Sequence, residues 1–212
     1  MPLTLKPHIL TVASAYPDPP FDLMENGSAT GFDIKLMRAI CAQLELRLQP
    51  VRYSGDDFNG IFDDLAKRTC DAVISGTTIT PERSRIVQFS LPYLEFNQGV
   101  AVNRQLTPNV SSIAGLRGLI AGIQSGNTSD LLARRLLAEG GIADIKYYPY
   151  HGITSALDDL EAGTIGLVIK LFPVISWLVR ERPKIVGRDA GADPGEARNC
   201  LCQGQRRLAR CG

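Results

Sequence analysis

Histidine is nearly missing from this 212-residue chain, with only His8 and His151, far apart in sequence, so a zinc centre has almost no ligands to draw on. No charge of one sign dominates: the formal net charge is +1 and the signs are interspersed, which argues against nucleic acid or an anionic membrane as partner. No apolar run approaches the length of a bilayer span, and no collagenous or repeat composition occurs. The opening Met1-Pro2-Leu3-Thr4-Leu5-Lys6-Pro7 lacks a basic segment followed by an apolar one, so no secretory signal is expected in the chain as written. Cysteine is sparse and odd in number. Cys41 and Cys70 read as small core residues, while Cys200, Cys202 and Cys211 crowd the tail without forming a disulfide framework.

What is present is a globular composition, 44% hydrophobic and 21% charged, enough for a sizeable core in one or two domains. The chain reads as α/β. A strand over 8–13 runs into the rigid loop Tyr16-Pro17-Asp18-Pro19-Pro20-Phe21. A helix follows with Ile34, Met37, Cys41 and Leu44 on one stripe, then a strand over 46–53. Asp57 is the expected cap of a helix carrying Phe58, Ile61, Phe62 and Leu65, and 71–74 is a third strand. After a short crossing strand over 99–103 the pattern restarts. Strands are expected over 119–124, 144–148 and 165–169, and helices over 129–139 (Leu132, Leu136 and Leu137 inward) and 153–162. Ligands on parallel sheets of this kind sit beyond the carboxyl ends of the strands.

Ser75-Gly76-Thr77-Thr78-Ile79-Thr80-Pro81-Glu82-Arg83 stands at such an end. Gly76 lets the backbone approach a bound group, Thr78 and Thr80 offer hydroxyls, and Pro81 starts a helical turn. Arg83 then presents a planar fork of N–H donors that matches a carboxylate or phosphate. The same residues also read as a surface loop capped by Thr80 with a solvated arginine. Ser125-Gly126-Asn127-Thr128 opens a helix and turns N–H groups toward an anion, or is an ordinary cap by Ser125 or Asn127.

Together with Phe89-Ser90-Leu91-Pro92-Tyr93, Gly31-Phe32-Asp33-Ile34-Lys35-Leu36-Met37-Arg38-Ala39-Ile40, Gly115-Leu116-Arg117-Gly118 and Ile123 to Ser129, this stretch resembles the family 3 extracellular solute-binding proteins, the polar amino-acid receptors of ABC importers. The resemblance runs over about residues 9–186 and implies a two-lobed periplasmic-binding-protein-like (type II) fold with a ligand cleft. It implies lobe 1 over 1–98, lobe 2 over 99–186, and a tail over 187–212 where the family would return to lobe 1. It also implies a non-enzymatic, monomeric receptor, periplasmic or at the cell surface, with an ABC permease as partner and no cofactor or metal.

Carried over by resemblance, Arg83 takes the ligand carboxylate, Gly76 and Thr78 contact it from the first lobe, and Thr128 supplies an N–H from the second. Phe58 and Tyr16 pack on the ligand, and either also reads as core. The family's aspartate for the α-ammonium falls at Leu171, beside Lys170. The expectation is a ligand with a carboxylate and no α-ammonium, engaging Arg83 and Lys170 together; alternatively Lys170 reaches water. The scaffold also resembles cyclohexadienyl dehydratases, lyases that need a general acid, for which the sequence suggests only the distant Glu82 and Glu95. A third alternative is a ligand-sensing module. Beyond Val186 apolar periodicity vanishes, and a one-nucleotide shift of residues 199–211 restores a family-like strand and helix start, so the expected tail is frameshifted and replaces the return to lobe 1.

Overall fold

The computed structural model describes residues 4–110, 113–191, 199–201 and 204–205. Two compact units emerge. One comprises the described residues of Met1–Gly55, Asn59–Glu95 and Asn199–Gly212, the other those of Asp56–Phe58 and Phe96–Arg198.

In the first unit, β1 (Ile9–Ser14) leads through a hairpin of β2 (Leu23–Glu25) and β3 (Ser28–Thr30) into α1 (Phe32–Gln43), and β4 (Arg47–Arg52) returns parallel to β1, Ile9 facing Arg47 and Ser14 facing Arg52. Then follow α2 (Gly60–Ala66), β5 (Ala72–Val73), α3 (Pro81–Ile86), β6 (Gln88–Phe89) and β7 (Leu94–Phe96). β5 is parallel to β1 on its other side. Ile34, Met37 and Cys41 line the buried face of α1, and Met37 joins Val12, Ala72 and Ile74 in the core. Leu44, expected on that stripe, is 48% exposed: the helix ends at Gln43, and the Leu46 N–H turns back onto the Cys41 carbonyl at 2.9 Å. The second helix also starts later than its apolar spacing suggests. Asn59, not Asp57, precedes α2, and Phe58 lies outside it in the other unit, its N–H donating to the Ser125 carbonyl at 3.1 Å.

The second unit holds β8 (Gln98–Asn103), β9 (Ile120–Gln124), α4 (Ser129–Ala138), β10 (Asp144–Tyr148), α5 (Ile153–Ala162), β11 (Leu167–Leu171), α6 (Phe172–Leu178) and β12 (Ile185–Asp189). Its sheet order is β10-β9-β11-β8-β12, with β9, β10 and β11 parallel and β8 antiparallel to both neighbours. β8 is therefore an interior strand, not only a crossing segment. Side chains alternate as pleating requires: Leu167 and Ile169 meet Val100, Val102, Leu132 and Leu136 on one face, while Val168 meets Leu157, Leu160 and Ile175 on the other. Helices thus cover both faces. Leu137, expected inward, is 38% exposed, and Ala133 takes its place in the core. β11 starts at Leu167, two residues later than the sequence suggests, which brings Lys170 and Leu171 into the buried strand.

Beyond Val186, β12 continues to Asp189 with rising exposure, and two short strands, β13 (Asn199–Leu201) and β14 (Gly204–Gln205), pair with strands of the first unit, β13 on β7 and β14 antiparallel between β5 and β6. The frameshift expected over 199–211 otherwise lies outside the described residues, as do Cys202 and Cys211. Cys41 and Cys70 are buried free thiols, as their small-core reading implies. Among the described residues no helix is long and apolar enough to cross a membrane.

Candidate functional site

The expected ligand-binding residues divide between the units: Tyr16, Gly76, Thr78 and Arg83 in the first, Phe58, Thr128 and Lys170 in the second.

In the first unit, β5 gives way to the Ser75–Thr80 turn. Ser75 Oγ accepts from the Ala15 N–H at 2.9 Å and donates to the Asp22 carboxyl group, tying the turn to the loop after β1. Gly76 has φ +52°, a left-handed conformation that an L side chain rarely adopts, and its N–H donates to Asp33 Oδ2 at 2.7 Å. Thr80 caps α3 by accepting the Arg83 N–H at 3.2 Å, with Pro81 in the first turn. That cap sets the direction of the Arg83 side chain. The residue is only 5% exposed, so it is not the solvated surface arginine that its loop position allows. Its Nη1 donates to the Thr78 carbonyl at 3.0 Å, its Nε to Asn59 Oδ1 at 3.1 Å, and Cζ lies 5.1 Å from the Phe62 ring centroid. These contacts fix the orientation of the guanidinium within its unit.

Tyr16 is buried in the same unit, its phenol pushed up by burial and then by Asp22. Asp22 belongs to a feature that sequence reasoning missed, three buried carboxyl groups at Asp18, Asp22 and Asp33. The Asp18 N–H donates to Asp22 Oδ1 at 2.9 Å, and a Cβ on Gly76 would lie 3.7 Å from Asp18 Oδ2. Burial, then the neighbouring Asp18, hold Asp22 well above the usual carboxylate range. Asp33 is pushed up to about 6 by burial, against the opposing pull of the Gly76 N–H and the Tyr93 hydroxyl. The sequence did carry a signal, since Asp33 sits inside the Gly-Phe-Asp-Ile motif and Asp18 and Asp22 flank Pro19-Pro20-Phe21. Among the described residues no group of three or more His, Cys, Asp or Glu is arranged to hold a metal ion.

In the second unit, β9 ends at Gln124 and the Ser125–Thr128 turn opens α4. Neither Ser125 nor Asn127 caps the helix. The N-cap is Thr128, which makes no side-chain cap bond; its Oγ1 accepts from Gln98 Nε2 at 3.3 Å, while Ser129 Oγ donates to Gln98 Oε1 at 2.9 Å. Gln98 faces Leu171 across the β8–β11 ladder. The turn and the end of β11 therefore share one edge of this sheet. Phe58, Tyr150 and Lys170 form a second group there: the Phe58 and Tyr150 rings lie 5.0 Å apart, and Lys170 Nζ lies 5.3 Å from the Tyr150 centroid. Lys170 is 1% exposed, so its side chain does not reach water. Phe58 packs on an aromatic wall, not on a helical stripe.

Two α/β units, each presenting polar groups at its strand ends, form the periplasmic-binding fold of the two-lobed amino-acid-binding proteins. Residues 10–181 match the bacterial extracellular solute-binding proteins, family 3, and the chain belongs to that family. It is similar to the ABC transporter arginine-binding protein 1 of Escherichia coli, 30% identical over 185 residues that cover 86% of this chain and 71% of the relative. It is also 30% identical over 165 residues to the L-arginine-binding protein of Pseudomonas aeruginosa, covering 77% of this chain and spanning only 60% of that relative. Among solved structures, an ancestral arginine-binding protein bound to arginine matches with TM-score 0.79 and 28% identity, covering 95% of this chain and 85% of that one. An ancestral amino acid-binding protein described as a precursor of cyclohexadienyl dehydratase matches with TM-score 0.80 and 26% identity, covering 95% and 83%.

Proposed function

We propose that the protein is the solute-binding receptor of an ABC importer, taking a small carboxylate ligand, an amino acid or a related organic acid, in a cleft between its lobes. The observation that carries this reading is Arg83, buried, fixed by its own helix cap and oriented by neutral acceptors. A buried guanidinium held in a fixed orientation matches the geometry of a carboxylate, and a bidentate pair in a partly dry site is among the stronger polar contacts. Gly76 and Thr78 contact the same carboxylate, Thr128 adds an N–H from the second unit, and Tyr16 and Phe58 pack on the remainder of the ligand. The receptor works as a monomer in the periplasm or at the cell surface and delivers its ligand to a permease. The relatives named above are binding proteins, which supports binding without turnover.

A thermal-shift screen of the purified chain against amino acids and organic acids tests this, because a ligand that binds only the native state stabilises it, by about 2.7 kcal/mol at a hundredfold excess over Kd. The expected result is a shift with one ligand class, absent in Arg83→Ala. A shift of equal size in Arg83→Ala removes the arginine from the site, and conversion of the ligand to a new product replaces the receptor with a lyase.

A further inference from the structure

Periodicity accounts for Ile34 and Met37 on the buried face of α1, but not for the acid beside them. Asp33, in the first turn of that helix, is fully buried. Its backbone is pinned: the Phe32 and Asp33 N–H groups donate to the Pro20 and Phe21 carbonyls at 3.0 and 2.9 Å, which fixes the helix start on the loop after β1. From this base one carboxyl oxygen takes the Gly76 N–H at 2.7 Å and the other the Tyr93 hydroxyl at 2.7 Å. The carboxyl plane cannot rotate without losing one of them.

Gly76 is the residue on which this grip matters. A glycine visits positive φ about as readily as negative φ, so its φ of +52° is not selected by its own backbone. The bond to Asp33 selects it. On one side of Gly76, Ser75 is held by the Ala15 N–H and by Asp22. On the other the chain runs through the fully buried Thr77 to Thr78, whose carbonyl accepts from Arg83 Nη1 at 3.0 Å. Asp33 thus reaches Arg83 through two hydrogen bonds and the short stretch of chain between them, all inside the first unit. Resting on the receptor reading above, we propose that Asp33 is the positioning residue of the carboxylate-binding turn: it does not touch the ligand, but sets the Gly76 conformation that places the Thr78 carbonyl against the Arg83 guanidinium.

Its charge tunes the grip. The titratable groups around Asp33 are Asp18 and Asp22 of the loop after β1, Tyr16 next to Asp22 with Arg52 acting on it, and Tyr93; the turn contributes the neutral Ser75 and Gly76. With its folded value at about 6, Asp33 changes charge between pH 5 and pH 7.5. A carboxylate accepts an N–H bond roughly twice as strong as a neutral acceptor does, so ionisation costs the unit a buried charge and at the same time tightens Gly76.

NMR of the isotope-labelled chain, and calorimetry with L-arginine and L-glutamine, neither of which titrates between pH 5 and pH 7.5, test this in the wild type, Asp33→Asn and Asp33→Ala. The Gly76 amide is expected to titrate with a midpoint of about 6, and the Arg83 Nε–H resonance to follow it. In Asp33→Asn, which keeps an acceptor for Gly76 but no charge, both stay flat with pH. A probe that binds the wild type does so about fivefold more tightly at pH 7.5 than at pH 5; Asp33→Asn abolishes that difference, and Asp33→Ala weakens binding about tenfold or more at both. The Asn variant keeps the proposal testable should Asp33→Ala fail to melt cooperatively. An Arg83 resonance that neither follows pH nor moves in a folded Asp33→Ala, or a wild-type affinity that falls as pH rises, overturns the positioning role and leaves the receptor reading intact. Resonances that respond as expected in a chain that binds neither probe, nor any acid of the wider screen, support the hold of Asp33 on Arg83 and overturn the receptor reading.

Discussion

The backbone N–H of Gly76 donates to Asp33 Oδ2 at 2.7 Å while the Tyr93 hydroxyl donates to Oδ1 at 2.7 Å, so one buried carboxyl group ties the Ser75–Thr80 turn and Tyr93 to the first turn of α1. Burial lifts Asp33 to about 6 in spite of these donors. An unfolded aspartate titrates near ~3.9, so the folded state binds the proton more tightly. The stability linked to Asp33 is therefore fully present below about pH 4 and is lost as pH rises through about 6, a change on the order of 3 kcal/mol. Asp22, raised in the same direction, adds to the trend. Urea unfolding at pH 4.5 and pH 7 is expected to show a smaller difference for Asp33→Asn than for the wild type. An identical difference would mean that Asp33 is ionised throughout and its charge offset by the turn.

Much of this architecture was legible because it is written in periodicity. The stripe Ile34, Met37, Cys41 and the run Asp144–Tyr148 specify their elements locally, and the sheet merely collects them. The errors fall where tertiary contacts override spacing. Phe58 fits the i, i+3, i+4 pattern of α2, yet its N–H is captured by Ser125, far along the chain, and its ring by Tyr150. Thr128 outranks Ser125 and Asn127 as the helix start because Gln98, on another strand, holds its hydroxyl. Arg83 was legible through Thr80 and Pro81, a purely local cap. The Asp18–Asp22–Asp33 cluster was not, since it is assembled from two segments that only folding brings together.

Gly126 is expected to tolerate a side chain far less well than Gly76. Both have positive φ, +76° and +52°, and so share a backbone strain of about 1–2 kcal/mol for alanine. Their surroundings differ. A Cβ on Gly76 would lie 3.2 Å from the edge of the Phe21 ring, which can give by a few tenths of an ångström. A Cβ on Gly126 would lie 2.6 Å from the Phe58 backbone nitrogen and closer still to Asp57 Oδ1, and that backbone is pinned by its bond to Ser125. Denaturant midpoints should show Gly126→Ala losing clearly more stability than Gly76→Ala; equal losses would mean that the Asp57–Phe58 segment yields freely.

Arg83→Lys separates charge from geometry in the proposed ligand site. Lysine keeps the positive charge but has neither the Nε donor that reaches Asn59 nor the fork that spans toward Thr78. The ammonium is then free to swing within a buried space shaped for a plane. The expected outcome is a folded protein whose affinity for its carboxylate ligand falls by about tenfold or more, with Arg83→Ala falling further. Calorimetry of the three proteins with one ligand measures it, and a Lys variant that binds as the wild type does would show that charge alone is recognised.

Asn103 ends β8 and joins it to the last turn of α5, and of two variants there only the one that adds a carboxyl group should respond to acid. Its Nδ2 donates to the Leu160 and Glu161 carbonyls at 3.3 and 3.1 Å, and its Oδ1 accepts from the Gln105 and Leu106 N–H groups at 3.0 and 3.3 Å. Asn103→Leu leaves both sets without this partner and is expected to lose about 2–4 kcal/mol at any pH. Asn103→Asp keeps the acceptor but sets a carboxylate against two carbonyl oxygens at the negative end of a helix. Burial and those oxygens raise the new aspartate above its unfolded value, so the variant is most stable below about pH 4 and weakens as pH rises through its folded value. Thermal melts at pH 4.5 and pH 7 should narrow the gap between Asn103→Asp and the wild type at the lower pH and leave the gap for Asn103→Leu unchanged. A gap for Asn103→Asp that is also independent of pH would place the Leu160 and Glu161 carbonyls in contact with water rather than with this side chain.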